Sequence, residues 1–351
     1  HQIDADLTAG DVRLTMGGEP TFVSIDDHDG AEWNIDALGP TKRMRAAQVF
    51  HRLREKYAPH GLQHFGQGKW YPGEQLPRWS LNCYWRRDGQ PVWNNPALYA
   101  DETRDYGADE VLAGRFLRQL AERLAVNPKH VFPACEDVFY YLWREHRLPA
   151  NVDPFRSRLD DPLERERLAK VFRQGLDKVV GYVLPLKRDP QAGWRSGQWF
   201  LRSGRCYLVP GDSPIGYRLP LDSQPWVAKE DYPYIHAPDP TQAFPPLRPH
   251  AEIRAQVVIS HSESLAAEQA AVTGEHFAER ALERLSDALT HVGEEGGARL
   301  LPVTTPAAAV TRTSVSAQAR NGVLYIFMPP TETLDDYLEL VAAVEATAEA
   351  L

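Results

Sequence analysis

The stretch TSVSAQARNGVLYIFM (Thr313–Met328) decides the fold class, because it predicts a β-hairpin. Two runs suited to strands flank Asn321-Gly322, and this pair is one that two-residue hairpin turns favour. Leu334–Leu351 follows with apolar residues at helical spacing. The hairpin and the helix together predict the opening of an α+β unit.

The rest of the chain also mixes the two kinds of element. Helical spacing of apolar residues occurs in Ala46–Tyr57 and Ala113–Leu124. Asp161–Gln174 opens with an N-cap, a proline and a capping-box glutamate, which predicts a third helix. Lys69–Trp85 predicts one long bent strand or two short ones, and Trp199–Val209 predicts another hairpin. We therefore expect an α+β protein with mixed or antiparallel sheets and flanking helices.

Composition excludes several classes of protein. The chain has 351 residues, of which 43% are hydrophobic and 25% charged, with a formal net charge of −9. This length is ample for a core that needs no disulfide staples. The acidic balance disfavours binding to nucleic acid, which requires many cations. Because no stretch of about 18 apolar residues occurs, a membrane-spanning protein is not expected either.

The three cysteines indicate a reducing environment. Cys83, Cys135 and Cys206 lie far apart, form no CxxC pair and have apolar or aromatic neighbours. Reduced, packed thiols favour a cytoplasmic location. The chain begins at His1 without a methionine, and its last helix has no glycine or proline after it, so we expect both ends to continue in a longer protein.

The distribution of tryptophan predicts three domains. All nine tryptophans lie between Trp33 and Trp226. Six prolines between Pro233 and Pro249 favour an extended linker, because proline fixes φ and removes a backbone donor. We expect a tryptophan-rich α+β domain at 1–232, a proline-rich linker with an Ala/Glu-rich helical insertion at 233–310, and the hairpin and helix at 311–351 as the start of a further unit.

A glutamate beside two glycines is the first candidate site. Gly17-Gly18-Glu19 lies on a predicted strand, Val12–Ile25, and Asp26, Asp27 and Asp29 follow it. Magnesium needs oxygen ligands and often takes only one or two carboxylates, so Glu19 and Asp27 are candidate metal ligands. The alternative is a β-bulge followed by a solvated acidic turn. A metal-dependent hydrolase is a further possibility that depends on this acidic loop alone.

Two other constellations carry cations. Lys69, Arg78 and Arg86 alternate with aromatic residues, and such a stripe could bind an anionic or planar ligand or form core on one face. The loop 210–223 carries Asp212 and Arg218 between fixed turns. Its alternative is a structural loop in which Arg218 bridges Asp212 or Asp222. Elsewhere, Cys135-Glu136-Asp137 is interpreted as the cap of a helix.

Six sequence runs resemble a family of large bacterial amidoligase-like proteins, usually preceded by a transglutaminase-like domain. The runs occur in order and span nearly the whole chain, with a weaker stretch before the hairpin. They are Leu14–Asp27, His64–Trp79, Cys83–Gly89, Tyr140–Glu145, Val152–Phe155 and Pro210–Trp226.

The resemblance implies a glutamine synthetase-like carboxylate–amine ligase that uses ATP and Mg²⁺. In that superfamily the first strand often carries Gly-x-Glu-x-Glu, whose carboxylates bind the metal; here Glu19 matches the first position and Thr21 stands at the second. The later motifs of the superfamily are expected beyond Leu351, in a C-terminal catalytic half. The resemblance therefore implies a small-molecule or peptide substrate and a chain that is inactive alone.

Two functional hypotheses follow. The first is a portion of an ATP-dependent amidoligase, with Lys69, Arg78, Arg86, Asp212 and Arg218 as candidate contacts for phosphate or substrate. The second is a non-catalytic peptide- or carbohydrate-binding module that partners a transglutaminase-like domain through an exposed aromatic platform.

Overall fold

The computed structural model describes residues 2–9, 25–30, 39–67, 79–138, 178–199, 206–209, 213–221, 245–257 and 311–351, and the single positions 173, 201, 224 and 241. The chain divides into two compact units, His1–His51 and Arg52–Leu351. The domain borders predicted after residues 232 and 310 stay a prediction. Among the described helices, none is both long enough and apolar enough to cross a membrane.

The helices and strands confirm the α+β class. Helix α1 spans Gln2–Ala9, and α2, Pro40–Tyr57, confirms the helix predicted over its second half. The remaining elements, in chain order, are β1 (Leu62–Gln67), β2 (Trp79–Tyr84), α3 (Glu110–Arg123), β3 (Phe132–Glu136), β4 (Val179–Pro185), β5 (Lys187–Asp189), β6 (Gly193–Arg195), β7 (Cys206–Leu208), β8 (Ser314–Arg320), β9 (Val323–Phe327) and α4 (Leu334–Ala350). Single 3-10 turns occupy Pro96–Leu98, Pro128–His130 and Ile215–Arg218.

A five-stranded sheet organises the second unit. Its strand order is β7-β3-β4-β8-β9, and β1-β2 and β5-β6 form two separate antiparallel ribbons. Only the pairing of β3 with β7 is parallel within the five-stranded sheet. The strands of the predicted C-terminal unit therefore lie in one sheet with strands that precede residue 232.

The hairpin predicted from Thr313–Met328 is confirmed. β8 and β9 pair antiparallel from Ser316↔Phe327 to Arg320↔Val323. Asn321 has φ 51° and Gly322 has φ 74°, which is the pair of positive values that a type I′ turn requires. The turn chemistry visible in the sequence therefore sets the register of the hairpin.

Helices α3 and α4 cover one face of the sheet. The side chain of Asp109 accepts the backbone N–H of Leu112 and so caps α3, while Thr333 caps α4 in the same way. Alternate residues of β4 and β8 pack against the helices. This core contains Phe116, Leu117, Leu120, Leu184, Val315, Ala317, Leu340, Val341 and Val344.

The opposite face of the sheet has a smaller apolar cluster and more polar residues. The cluster contains Ala134, Val183, Cys206, Leu208 and Phe327 from the strands, with Trp199, Ile215 and Leu219 packed on them. The remaining residues of β8 that alternate with Val315 and Ala317 are Ser314, Ser316, Gln318 and Arg320. The sheet therefore has one hydrocarbon face and one mixed face.

The hairpin predicted for Trp199–Val209 is wrong. β7 pairs with β3 in parallel, and neither Trp199 nor Leu201 belongs to a strand. Trp199 instead packs in the cluster of the mixed face, where its indole N–H donates to the Thr311 carbonyl oxygen at 2.6 Å. Tertiary packing of this large side chain replaced the local pairing that alternation suggested.

Other predictions meet the structure in part. In Lys69–Trp85, β2 is the described strand. Residues 250–257 are helical and bury Ile253 and Val257 in the main core, directly after the last of the linker prolines. The strand predicted at Val12–Ile25 lies outside the described residues apart from Ile25. The predicted Ala/Glu-rich helix also lies outside the described residues. So does the helix predicted at Asp161–Gln174, except for residue 173, which is helical.

Candidate functional site

The candidate site lies where parallel strands β3 and β7 end side by side. The register pairs Ala134 with Cys206 and Glu136 with Leu208, so both strands reach their carboxyl ends together. In α/β sheets, ligands commonly bind beyond the carboxyl ends of such strands. The loop that follows β7 carries Arg218, one of the predicted site residues.

Arg218 and Glu136 form a buried ion pair at this edge. Arg218 Nη2 donates to Glu136 Oε1 at 2.5 Å, and Arg218 Nε donates to the Val209 carbonyl oxygen at 2.7 Å. The Arg218 side chain is only 1% exposed, and that of Glu136 is 15% exposed. If the loop 210–223 is purely structural, Arg218 is expected to bridge Asp212 or Asp222, but both lie outside the described residues. The partner that the structure shows is Glu136. The guanidinium is therefore held in one orientation by a carboxylate and a backbone oxygen.

Among the residues that the structure describes, the second carboxylate oxygen of Glu136 is buried without a hydrogen-bond partner. A carboxylate has roughly four acceptor positions. Leaving a buried acceptor unsatisfied costs about 1–3 kcal/mol, and charged groups cost more. Such a group calls for an explanation such as a catalytic role or a bound ion or water.

A short segment covers this end of the mixed face. The 3-10 turn Ile215–Arg218 places Ile215 against Gly181 of β4, where an added Cβ would lie 2.5 Å from the Ile215 Cδ1 atom. Glycine at this position therefore permits the close approach. Arg320 Nη2 donates to the Ser213 carbonyl oxygen at 3.0 Å and attaches the start of the segment to β8.

Arg320 brings a second cation to the same end of the sheet. The registers Ala134↔Gly181 and Tyr182↔Ala317 place Glu136 and Arg320 both toward the start of β4. Arg320 Nε donates to Gln318 Oε1 at 2.9 Å, and its guanidinium lies 5.2 Å from the centre of the Phe327 ring. The end of the sheet thus combines two oriented guanidinium groups with one carboxylate.

Arg86, also predicted as an anion contact, is 6% exposed and makes contacts within the fold. Its Nε donates to Asp88 Oδ1 at 3.0 Å, and its Nη1 donates to the Arg248 carbonyl oxygen at 2.5 Å. Hydrogen bonding to this guanidinium lowers the pKa of Asp88 to about 2. An added anion would compete with these partners, and a role of Arg86 in binding substrate stays a prediction.

For the other predicted site residues, a place in the candidate site stays a prediction. Asp27 is exposed in the turn at 25–30 of the first unit. Glu19, Lys69, Arg78 and Asp212 lie outside the described residues. Within the part of the chain that the structure describes, no group of three or more His, Cys, Asp or Glu side chains could hold a metal ion.

Glu136 is the site residue that sequence reasoning assigned wrongly. It was interpreted as part of a helix cap, but it is the last residue of β3. Asp137 does stand directly before helical residue 138. Strand β3, FPACE, is short and contains a proline, so its sequence has little alternation. The one sequence signal that could have indicated Glu136 as a site residue is a carboxylate at the end of an apolar run.

The cysteines are free, as predicted. Cys206 is fully buried in the mixed face two pairs away from Glu136, and burial raises its pKa to about 12. A thiol with such a pKa is protonated at neutral pH and a poor nucleophile. The site therefore offers charged oxygen and nitrogen groups for chemistry.

Comparison with known proteins identifies a family. The chain matches the family described as "Putative amidoligase enzyme (DUF2126)" over residues 1–351. No curated protein and no solved structure matches it. An amidoligase joins a carboxylate to an amine, and charged groups at a strand end suit both substrates. Because the match covers its whole length, the chain belongs to this amidoligase family.

Proposed function

We propose that the chain is part of an ATP-dependent ligase that joins a carboxylate to an amine on a small molecule or peptide. The observation that carries the proposal is the buried pair of Arg218 and Glu136, whose carboxylate keeps one unpartnered oxygen. The family assignment supplies the amide-bond chemistry. In such a reaction the γ-phosphoryl group of ATP passes to the carboxylate, which gives an acyl phosphate and ADP. The amine then displaces phosphate.

Arg218 provides a fixed positive charge for this chemistry. Negative charge builds up on the phosphoryl oxygens and on the attacked carbonyl oxygen. A preorganised cation in a site without water stabilises such charge more strongly than water does. Arg218 meets both conditions, because it is buried and held by Glu136 and Val209. Ile215 and Arg218 of the covering segment are both buried, and a segment packed in this way would help to protect an acyl phosphate from hydrolysis.

The residues fit a magnesium ion that binds mainly to phosphate oxygens of ATP and to water, with only one or two protein carboxylates. Magnesium usually keeps several waters and binds phosphate oxygens together with one or two carboxylates. The described residues offer no group of three ligands, so a metal held wholly by protein side chains does not fit them. Glu19 and Asp27, the pair that the sequence suggests, would supply one or two oxygens. When bound, the ion would neutralise phosphate charge.

The test measures amine-dependent ADP release from MgATP. A polypeptide that continues beyond Leu351 should be compared with this chain, because we propose that the C-terminal half completes the site. Arg218→Met should lower the rate by roughly 10²- to 10³-fold, the usual effect of losing one preorganised donor. Arg104→Met is the matched control, because Arg104 is 73% exposed. An unchanged rate in Arg218→Met would refute the role of Arg218.

A calorimetric titration with MgATP tests the metal ligands separately. Glu19→Gln and Asp27→Asn should each weaken binding of MgATP if these carboxylates contact the ion. Binding that both substitutions leave unchanged would exclude the two residues as ligands. The proposed ligase activity would still stand, because it rests on Arg218 and Glu136.

The binding-module alternative is supported by one exposed aromatic pair. Tyr84 and Trp85 are 48% and 54% exposed at the end of β2 and could contact a sugar or a peptide. Trp194 and Trp199, by contrast, are buried. Acrylamide quenching of tryptophan fluorescence distinguishes tryptophans packed in the core from tryptophans on an exposed aromatic platform. If the platform exists, acrylamide should quench most of the emission. The binding module would then partner a transglutaminase-like domain.

A further inference from the structure

We propose that Glu136 binds the attacking amine and removes its proton through Oε2, an inference that rests on the proposed ligase function. The two oxygens of this carboxylate have different surroundings. Oε1 accepts from Arg218 Nη2 at 2.5 Å, whereas Oε2 is buried and has no donor among the described residues. The arrangement leaves one strong acceptor in a fixed orientation beside a cation. A ligand that fits it must donate a hydrogen bond.

Of the reacting groups in amide ligation, the amine is the one that brings N–H donors. The carboxylate substrate and the phosphate groups carry acceptors and negative charge, which Glu136 would repel and Arg218 would attract. Arg218 neutralises the charge of Glu136, and Arg320 adds a positive charge at the same end of the sheet, which disfavours a positively charged ammonium ion. A neutral primary amine, whose lone pair can attack, therefore fits Oε2.

The chemical step balances without any further reagent. The amine donates an N–H to Oε2, and its lone pair attacks the carbonyl carbon of the acyl phosphate. As the new C–N bond forms, the C–O bond to phosphate breaks and phosphate leaves with the electron pair. The nitrogen gives one proton to Oε2, which passes it on to the departing phosphate. Glu136 thus returns to its starting state as a general base.

Access limits the kind of amine. The Glu136 side chain is only 15% exposed and contacts Arg218 of the covering segment. A bulky secondary amine would need more space around Oε2 than a primary amine. We therefore assign a small amine or the unbranched primary amino end of a longer molecule as the substrate class.

The test uses two neutral probes that differ in their N–H groups. Methoxyamine has an NH₂ group, and N,N,O-trimethylhydroxylamine has none. Methoxyamine should raise the melting temperature of the wild-type chain with concentration, and the trimethyl compound should not. Glu136→Gln should weaken methoxyamine binding by about 10-fold or more, since a charge-assisted hydrogen bond is lost. Glu110→Gln is the matched control, because Glu110 pairs with Lys178 at the surface.

Equal shifts of the melting temperature with both probes would overturn the assignment, and so would a methoxyamine shift that Glu136→Gln leaves unchanged. A shift caused by MgCl₂ alone that Glu136→Gln abolishes would also overturn it, because Oε2 would then be a metal ligand. If Glu136→Gln fails to fold, the wild-type chain still gives an answer. Glu136 pairs with Leu208 across the strands, so bound methoxyamine should show nuclear Overhauser contacts to the Leu208 methyl groups. Their absence at saturating probe refutes the site.

In the active enzyme, the same substitution separates the inference from the proposed function. Glu136→Gln should lower kcat/KM for the amine while the KM for ATP stays unchanged. Should the longer polypeptide release no ADP while methoxyamine still binds at Glu136, the proposed function fails and the amine site remains.

Discussion

Replacing Glu345 of helix α4 is expected to destabilise the second unit severely. This glutamate is fully buried, and its Oε1 accepts the backbone N–H groups of Asn94 at 2.8 Å and Asn95 at 2.6 Å. His250 Nε2 lies 2.9 Å from Oε2 without being aligned for a hydrogen bond, and Arg254 Nη1 lies at 3.8 Å. One side chain therefore connects α4 to the loop at 94–95 and to the helical stretch 250–257.

The magnitude follows from the groups that lose their partner. In Glu345→Ala, two backbone N–H groups lose their acceptor at about 1–3 kcal/mol each. Breaking a buried ion pair by removing one member typically costs about 3–5 kcal/mol. Both figures describe the loss of one and the same carboxylate and are not added, so we expect a loss of about 3–5 kcal/mol. Glu345→Gln keeps an acceptor oxygen and should cost about 1–2 kcal/mol.

Urea unfolding at pH 7, followed by tryptophan fluorescence, measures the change as a shift in midpoint at constant slope. Glu349→Ala is the matched control. That glutamate lies one turn further along α4 and pairs with the same Arg254, but its side chain is 30% exposed. Exposed pairs contribute about 0.2–1 kcal/mol. If Glu345→Ala is no more destabilising than Glu349→Ala, the reasoning about the buried contacts is refuted.

Three further predictions concern separate parts of the molecule. The pKa of Asp88 is lowered from 3.8 to about 2 by its arginine partner, so the stability it contributes is complete above 3.8 and is lost as the pH falls toward 2. Asp88→Asn should therefore flatten the fall in melting temperature across that range, and an unchanged slope would contradict this. A thiol reagent should modify the half-buried Cys83 faster than the fully buried Cys206, which should react only after unfolding. Equal rates for the two thiols would show that the mixed face is open. Gly322→Ala should destabilise by at least about 1 kcal/mol because φ is 74°, whereas Gly216→Ala, with open space around it, should change stability little.

Local sequence signals were sufficient wherever an element is determined by its own residues. Thr313–Met328 contains both strands and the turn of its hairpin, and α3 and α4 carry apolar residues at helical spacing. In these cases the contacts that stabilise the element come from residues a few positions apart. The α+β class followed from them directly.

The partner of Arg218 could not be predicted in the same way. The two candidates considered were Asp212 and Asp222, which are close in sequence, but the guanidinium contacts Glu136, 82 residues away. That contact exists because β7 lies parallel to β3, and parallel pairing requires a long crossover that no local pattern reveals. The same pairing made the predicted Trp199–Val209 hairpin wrong.

The sequence by itself determined the class of the fold, the hairpin, the principal helices and the family to which the chain belongs. Tertiary structure alone decided that β8 and β9 join the sheet of β3 and β4, that Arg86 is held within the fold, and that Glu136 keeps one unpartnered oxygen at a strand end. The physical reason is range: turn geometry and helical periodicity act over a few residues, whereas burial and the loss of a hydrogen-bond partner depend on which distant segments pack together.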